Sequence, residues 1–354
     1  MLIVCKNFGK LLKFKMVWHL CHTIFVYIFF NIYNKIKNIK MGNEFINYLL
    51  VYFKGNHYLD EQIFFALSND GYNWTPINDE KPIINSEEIA LKKSIRDPHI
   101  IRTENGEFYM VATDMRSSNG WDSNCGIVLL KSNNLINWTS QTIDFTIKWP
   151  KIFNKNTIEA VWAPETIYDK KNNKYMVYYT IKEKNKNYMI YYSYANEYFT
   201  DLTEPKLLYN HNMLNTIDAN IIYHNNKYHM FFKTEDDQSQ GIQKATCDTL
   251  QGSWLPENEY IQKTHLNVEA PNVFKLNDNN GFILMYDCFM DNKYEYCYSD
   301  DLINFNKINS INNNIIIRHA SVIPITKKET ERLIYNFPNI KNNNLKLFID
   351  NENL

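Results

Sequence analysis

Glycine is scarce in this chain, with ten among 354 residues. Tight turns and left-handed backbone positions must then fall largely to Asn and Asp, whose short side chains tolerate them. Charge is nearly balanced, at a formal net charge of −1, and after the N-terminal segment the basic residues are scattered rather than banded. Such a chain has no field to draw in nucleic acid or an anionic membrane, so nucleic acid is set aside as a partner. Cysteine is sparse and unpatterned: Cys5, Cys21, Cys125, Cys247, Cys288 and Cys297 include no C-x-x-C pair and no His at zinc-finger spacing. That spacing argues against a structural zinc site. Cys288 and Cys297 could face each other across a hairpin, but free buried thiols are the better reading.

What is abundant is apolar and aromatic: 45% of the residues are hydrophobic and 15% are Phe, Trp or Tyr. That is enough for a sizeable core, and the aromatic share suits a β-protein whose surfaces stack on flat ligands such as sugars. Residues 1–40 stand apart from the rest. Lys6, Lys10, Lys13 and Lys15 precede an apolar run from Met16 to Phe30, and Lys35, Lys37 and Lys40 follow it. A basic segment ahead of an apolar one begins a signal peptide or signal anchor, yet no small-x-small cleavage site follows, and His19 and His22 dilute the run. The other reading is a non-native leader with translation starting at Met41. The membrane is a partner only if this segment is native. Localisation follows the same alternative: secreted or anchored with it, cytoplasmic without it.

From Tyr48 onward a period appears. Ser68-Asn69-Asp70-Gly71-Tyr72-Asn73-Trp74 is echoed by Ser132 to Trp138, Ser193 to Phe199, loosely Thr246 to Trp254, and Ser299 to Phe305. Each unit reads as an apolar strand, a turn, a Tyr- or Phe-rich strand and a further short strand that ends in the Ser-x-Asp turn and an aromatic plug, with no amphipathic helix of useful length. Five such units predict an all-β, five-bladed β-propeller over residues 41–354. The first copy lacks a polar-headed strand, and Arg318 to Thr326 supplies one near the other end, so the circle is expected to close by pairing strands from the two ends. The later run Arg332 to Phe337 fits an additional terminal strand.

Ahead of each apolar strand stands a polar head: Arg96-Asp97-Pro98, Trp162-Ala163-Pro164-Glu165, Ile217-Asp218, Val268-Glu269-Ala270-Pro271 and Arg318-His319. Innermost propeller strands line the central channel, so these heads should converge at one end of it, with Asp97, Asp218 and Glu269 at matching repeat positions. Like charges brought together push carboxyl pKa values apart, which poises one as an acid and another as a base. A single carboxylate would read better as a turn cap or a partner of Arg96, Arg102 or Arg318. Asp114 and Asp122 read as turn residues.

These five heads, in this order over residues 48–340, resemble those of glycoside hydrolase family 43, the five-bladed arabinosidases and xylosidases. The resemblance implies that Asp97 is the general base, Glu269 the general acid, and Asp218 the aspartate that orients the acid and tunes its pKa. It implies substrate contacts from Arg318 and Glu165, and puts His319 where several members hold a cation beside the channel axis. No cofactor is required, and a structural Ca2+ in the channel is compatible with it. Two departures stand out: Ala219 follows Asp218 where many members have proline, and Glu165 replaces an aspartate. Inverting hydrolysis needs an acid and a base on opposite faces of the bond, roughly 6.5–9.5 Å apart, a gap that strands across a narrow channel can supply. Trp162 and Trp121 could stack on a sugar face. The substrate implied is a terminal α-L-arabinofuranosyl or β-D-xylosyl unit of short plant-derived oligosaccharides, attacked from the end. The alternatives are an endo-arabinanase of the same family and a carbohydrate-binding propeller without catalysis. A fructan hydrolase of the related clan would add an Asn-Asp-Pro-Asn motif near the start and a Glu-Cys acid motif, and neither is present.

Overall fold

The Ser-x-Asp stretches form one turn used repeatedly. Ser68 Oγ accepts the N–H of Asp70 and Gly71, while Asp70 Oδ1 accepts those of Tyr72 and Asn73. The same bonds recur with Ser132 and Asn134, and with Ser299 and Asp301. The residue after the acid or amide takes positive φ: Gly71 (87°), Leu135 (67°) and Leu302 (60°). Every turn delivers an aromatic residue back to the sheets, and Trp74, Phe199, Trp254 and Phe305 are buried. The serine and its neighbour thus replace the glycine that the chain lacks.

The computed structural model describes residues 44–211, 214–236, 239–278, 280–308, 315–337 and 348. The basic, apolar leader lies outside them, as do the expectations attached to it. Among the described residues, twenty strands form five four-stranded antiparallel sheets, a five-bladed β-propeller. Ordered from the channel outward, the first blade is β20 (Arg318–Thr326), β1 (Phe45–Phe53), β2 (Phe64–Ser68) and β3 (Thr75–Pro76). The second is β4 (Ile95–Arg102), β5 (Phe108–Asp114), β6 (Gly126–Ser132) and β7 (Thr139–Asp144); the third is β8 (Ile158–Asp169), β9 (Lys174–Glu183), β10 (Met189–Tyr194) and β11 (Lys206–Tyr209). The fourth is β12 (Thr216–His224), β13 (Lys227–Asp236), β14 (Ser239–Cys247) and β15 (Leu255–Glu257); the fifth is β16 (Glu269–Lys275), β17 (Phe282–Cys288), β18 (Lys293–Ser299) and β19 (Asn306–Lys307).

The ring closes as expected: β1 pairs with β20, with Leu49 opposite Ile323 and Val51 opposite Ser321. Apolar side chains of facing sheets meet in five clusters, one at each junction between blades. At the junction of the first two blades, for example, Leu49 and Phe65 meet Ile100, Met110 and Val128. The core is therefore a ring of interfaces around a polar channel. Cys125, Cys247, Cys288 and Cys297 are free thiols.

The connections carry α1 (Ser86–Ile89) and α2 (Phe145–Lys148), each a single turn, and β20 runs into α3 (Lys327–Asn336). That last element corrects one expectation, since Arg332 to Asn336 is helical rather than a further strand. A capping box decides it: Thr326 and Glu329 satisfy each other's backbone N–H, and the turn that follows buries Thr330 and Leu333 on one face. Arg102 grips Glu329 through two bonds of 2.7 and 2.8 Å, and so fixes the helix against the second blade.

Candidate active site

Every innermost strand is broken at the same place. The pairing slips between Arg96 and His99, Trp162 and Glu165, Ile217 and Asn220, and Glu269 and Asn272, and a matching slip lies opposite Arg318 to Ser321. Within each bulge one residue takes positive φ: Asp97 (51°), Ala163 (44°), Asp218 (55°), Ala270 (55°) and His319 (21°). A bulge re-aims the side chains around it, and a non-glycine residue in this region is held there by its surroundings. Three positions per strand are thereby set: one before the bulge, one within it, and one two residues on. Glu269 stands before the bulge, whereas Asp97 and Asp218 stand within it. The three carboxylates converge, but the expectation that they occupy matching repeat positions is off by one residue for Glu269.

Asp97, Asp218 and Glu269 line one cavity of about 370 Å³ at the channel mouth, together with Arg318, His319 and Trp162. Glu269 on β16 and Asp218 on β12 come from neighbouring blades, while β20 separates β16 from Asp97 on β4. Asp97 Oδ2 accepts a 2.7 Å bond from Thr113 Oγ1, and the Thr113 hydroxyl oxygen in turn accepts the N–H of Ala163 at 2.9 Å. His319 Nδ1 lies 3.4 Å from Asp97 Oδ1 and 4.0 Å from Asp218 Oδ2. Burial pushes the Asp218 carboxyl up to about 6; His319 opposes the rise, and Glu269 and Asp97 add to it. Burial alone would lower the pKa of His319, but the carboxylates of Asp218, Asp97, Glu165 and Glu269 outweigh it and raise it. Glu269 is flanked by two cations, Arg318 Nη2 at 2.8 Å and Lys233 Nζ at 3.9 Å.

One wall of the cavity is aromatic. Trp162 stacks on Tyr188 with centroids 5.2 Å apart and meets Trp121 edge-on at 6.5 Å. Trp121 is 53% exposed, with the Arg96 guanidinium 5.1 Å from its ring, and Arg96 is itself held by Glu61 at 3.0 Å. Phe289 and Met290 face this wall from the fifth blade.

Glu165 is not part of this cavity. With His99, Asn220, Asn272 and Ser321 it stands two residues past the bulge, on the channel axis, where all five are buried. This ring stitches blades together: His99 Nδ1 accepts the N–H of Thr166, Asn220 Oδ1 that of Val273, and Ser321 Oγ that of Ile100. Glu165 Oε2 accepts bonds from Tyr178 Oη at 2.6 Å and Asn220 Nδ2 at 2.9 Å, and burial pushes its carboxyl up to about 8. Burial also holds His99 down to about 3, so the 3.5 Å approach of its Nε2 to Glu165 joins two neutral groups near pH 7. Asp114 caps the loop before β4, accepting the N–H groups of Leu91 and Lys92, and Asp122 is exposed on its own loop. Among the described residues, no group of three or more His, Cys, Asp or Glu side chains is placed to hold a metal ion.

Residues missing from the sequence reading come from the second strand of three blades, opposite the residue that precedes the bulge. They are Thr113, Lys233 and Asp287, paired across from Arg96, Ile217 and Glu269. Their one visible signal is a polar residue inside an apolar run.

A family model described as "Probable glycosyl hydrolase domain", of the glycosyl hydrolase 43-related group, matches residues 43–331. An α-L-arabinofuranosidase of Bifidobacterium longum subsp. longum is 23% identical over 276 residues, a match that takes in 62% of this chain and 25% of that protein. The chain thus spans a quarter of that relative's length. Among solved structures, a thermostable family-43 glycoside hydrolase is 15% identical, with 75% of this chain and 90% of that one covered at a TM-score of 0.53. An endo-1,4-β-xylanase from Bacteroides thetaiotaomicron VPI-5482 is 12% identical, with 76% and 95% covered at a TM-score of 0.52. At these identities the structural likeness carries the fold alone.

Proposed function

The chain belongs to the glycosyl hydrolase 43-related family, and from that premise we propose that the cavity at the channel mouth hydrolyses a glycosidic bond with inversion at the anomeric carbon. The observation that carries this reading is the meeting of Asp97, Asp218 and Glu269 in one small cavity beside an aromatic wall. Asp97 takes a proton from water as that water attacks the anomeric carbon. Thr113 and His319 hold its two oxygens, so one face of the carboxylate is kept turned to the cavity. Glu269 gives its proton to the departing oxygen. Asp218 accepts the N–H of Ala270 at 3.1 Å, which fixes the backbone next to the acid. Arg318 and Trp162 contact the sugar, while Glu165 supports the axis from below.

A cavity of about 370 Å³ lies at the small end of the usual range for ligand pockets, about 300–1,000 Å³. Walled by Trp121, Phe289 and Met290, it suits one terminal sugar better than the middle of a polymer. We assign an exo-acting enzyme on α-L-arabinofuranosyl or β-D-xylosyl ends, which agrees with the activity named for the Bifidobacterium relative.

Incubation with nitrophenyl arabinofuranoside, nitrophenyl xyloside and linear arabinan, with the released anomer followed by NMR, tests this reading. Inverted monosaccharide from one or both nitrophenyl glycosides is expected. A rapid fall in arabinan viscosity without monosaccharide would replace it with an endo-acting arabinanase; retention would remove the inverting mechanism; inertness on all three would leave a binding propeller. Asp97→Ala should remove nearly all turnover. Glu269→Ala should keep measurable turnover on nitrophenyl glycosides, whose leaving groups need little protonation, and lose it on unactivated oligosaccharides.

A further inference from the structure

Glu269 presents a problem of charge. A general acid must hold its proton near neutral pH, yet Arg318 and Lys233 both stand within 4 Å of its carboxyl group, and each cation favours the ionised form. Lys233 is already matched, since its Nζ sits 2.6 Å from Glu235 Oε1. Arg318 has two carboxylate partners, Glu269 at Nη2 and Asp287 at Nε.

Asp287 is fully buried on β17, directly across the pairing from Glu269. Its Oδ2 accepts the bond from Arg318, and its Oδ1 is buried without a hydrogen-bond partner. A bare carboxylate oxygen at full burial is costly unless it serves a purpose. Nothing in the reaction requires Asp287 to touch substrate, because the guanidinium stands between it and the cavity.

We infer that Asp287 is a positioning residue which, by matching the charge of Arg318 from behind, sets how tightly Glu269 holds its proton. The inference rests on the reading of Glu269 as the general acid. With Lys233 given to Glu235 and Arg318 given to Asp287, the two cations are balanced and Glu269 is free to be neutral. The guanidinium fork also fixes Glu269 in the plane that Asp287 dictates. Burial pushes the Asp287 carboxyl up to about 7, with Arg318 pulling against the rise and Glu269 adding to it. Glu269 and Asp287 are thus bridged by one cation, so a change of charge on one is felt by the other. The other groups facing Glu269 are Asp218 on β12, Lys233 on β13 and His319 on β20. Those facing Asp287 are Arg318 and His319 on β20 and Tyr294 on β18, whose hydroxyl accepts the N–H of Ala320.

The test reads Glu269 directly. The full chain is labelled with glutamate carrying ¹³C at the carboxyl carbon, its Glu269 resonance is assigned with Glu269→Gln, and the resonance is titrated in the wild type, Asp287→Asn and Arg318→Gln. Removing the negative charge behind the arginine should lower the pKa of Glu269 by about one unit, a tenfold change in proton affinity. Removing the cation should raise it. The alkaline limb of kcat/KM should move the same way in each variant, with Asp287→Asn losing about tenfold on unactivated substrates at pH 7 and far less on nitrophenyl glycosides. If Asp287→Asn does not fold, Asp287→Ser carries the same expectation. An unmoved Glu269 resonance in a folded Asp287 variant overturns the inference, as does a shift of one sign in both variants. If the resonance moves as expected but the wild type cleaves no glycoside, the coupling stands and the assignment of the reaction fails.

Discussion

Asp218 shows how burial of a single carboxyl group in the cavity works against the fold. Its carboxyl has an ordinary value of 3.8 and is pushed by burial to about 6. A carboxyl whose pKa is raised on folding binds its proton more tightly in the native state. Its contribution to stability is therefore fully present below about pH 4, is lost as pH rises through about 6, and is absent at pH 7. At 1.36 kcal/mol per pKa unit, with the pull of His319 already contained in the shift, the native state carries a cost on the order of 2–3 kcal/mol at neutral pH. Asp218→Asn keeps an acceptor for the Ala270 N–H and removes the charge. Urea unfolding should find it more stable than the wild type by about 2 kcal/mol at pH 7.5 and nearly equal at pH 4, with turnover at least a hundredfold lower. A stability difference that stays constant between those two pH values would mean that the carboxyl is not strained by burial.

The Ser-x-Asp turn is the element that recurs, and in the copies at Ser68, Ser132 and Ser299 the serine hydroxyl accepts a backbone N–H of the turn. Ser299 Oγ, 1% exposed, accepts the N–H of Leu302 at 2.9 Å and donates to Asp301 Oδ1 at 3.1 Å. Leu302 is fully buried and held at φ 60°. Ser299→Ala strands that N–H and frees a strained leucine, so it should cost about 1–3 kcal/mol, read as a lower urea midpoint at unchanged slope. Turnover per folded molecule should not change, because the turn lies at the outer end of the fifth blade's strands, away from the bulges. A loss below 0.5 kcal/mol would show that water reaches the turn and replaces the serine.

Closure governs the molecule as a whole. β20 completes the first blade, fills two of the five blade junctions, and carries Arg318 and His319 into the cavity. A chain ending at Ile317 would leave the β1 edge unpaired along its apolar length, an open template for other chains. The intact protein should unfold in a single cooperative transition, and the truncated chain should lose that transition and associate at micromolar concentration in sedimentation experiments. A monomeric truncation with the original transition would mean that closure is not what holds the ring.

By itself the sequence determined everything that depends on residue type and on distance along the chain. Repeated turns, aromatic plugs and polar heads follow from local hydrogen bonding and from the two-residue alternation of strands, and so the propeller, its closure by Arg318 to Thr326, and the carboxylates Asp97, Asp218 and Glu269 were all legible. Three things were decided only by tertiary structure. Pairing register and the bulge placed Glu269 one position before Asp97 and Asp218, and set Glu165 on the channel axis, because one extra residue in a strand changes the face on which every later side chain lies. Cross-strand pairing chose Thr113, Lys233 and Asp287 as partners of the site, since each lies far in sequence from the carboxyl group it serves. The capping box at Thr326 turned an aromatic run that reads as a strand into α3, because the surface it meets, Asn47 of β1 with its 3.1 Å bond to Thr330, exists only once the ring is closed.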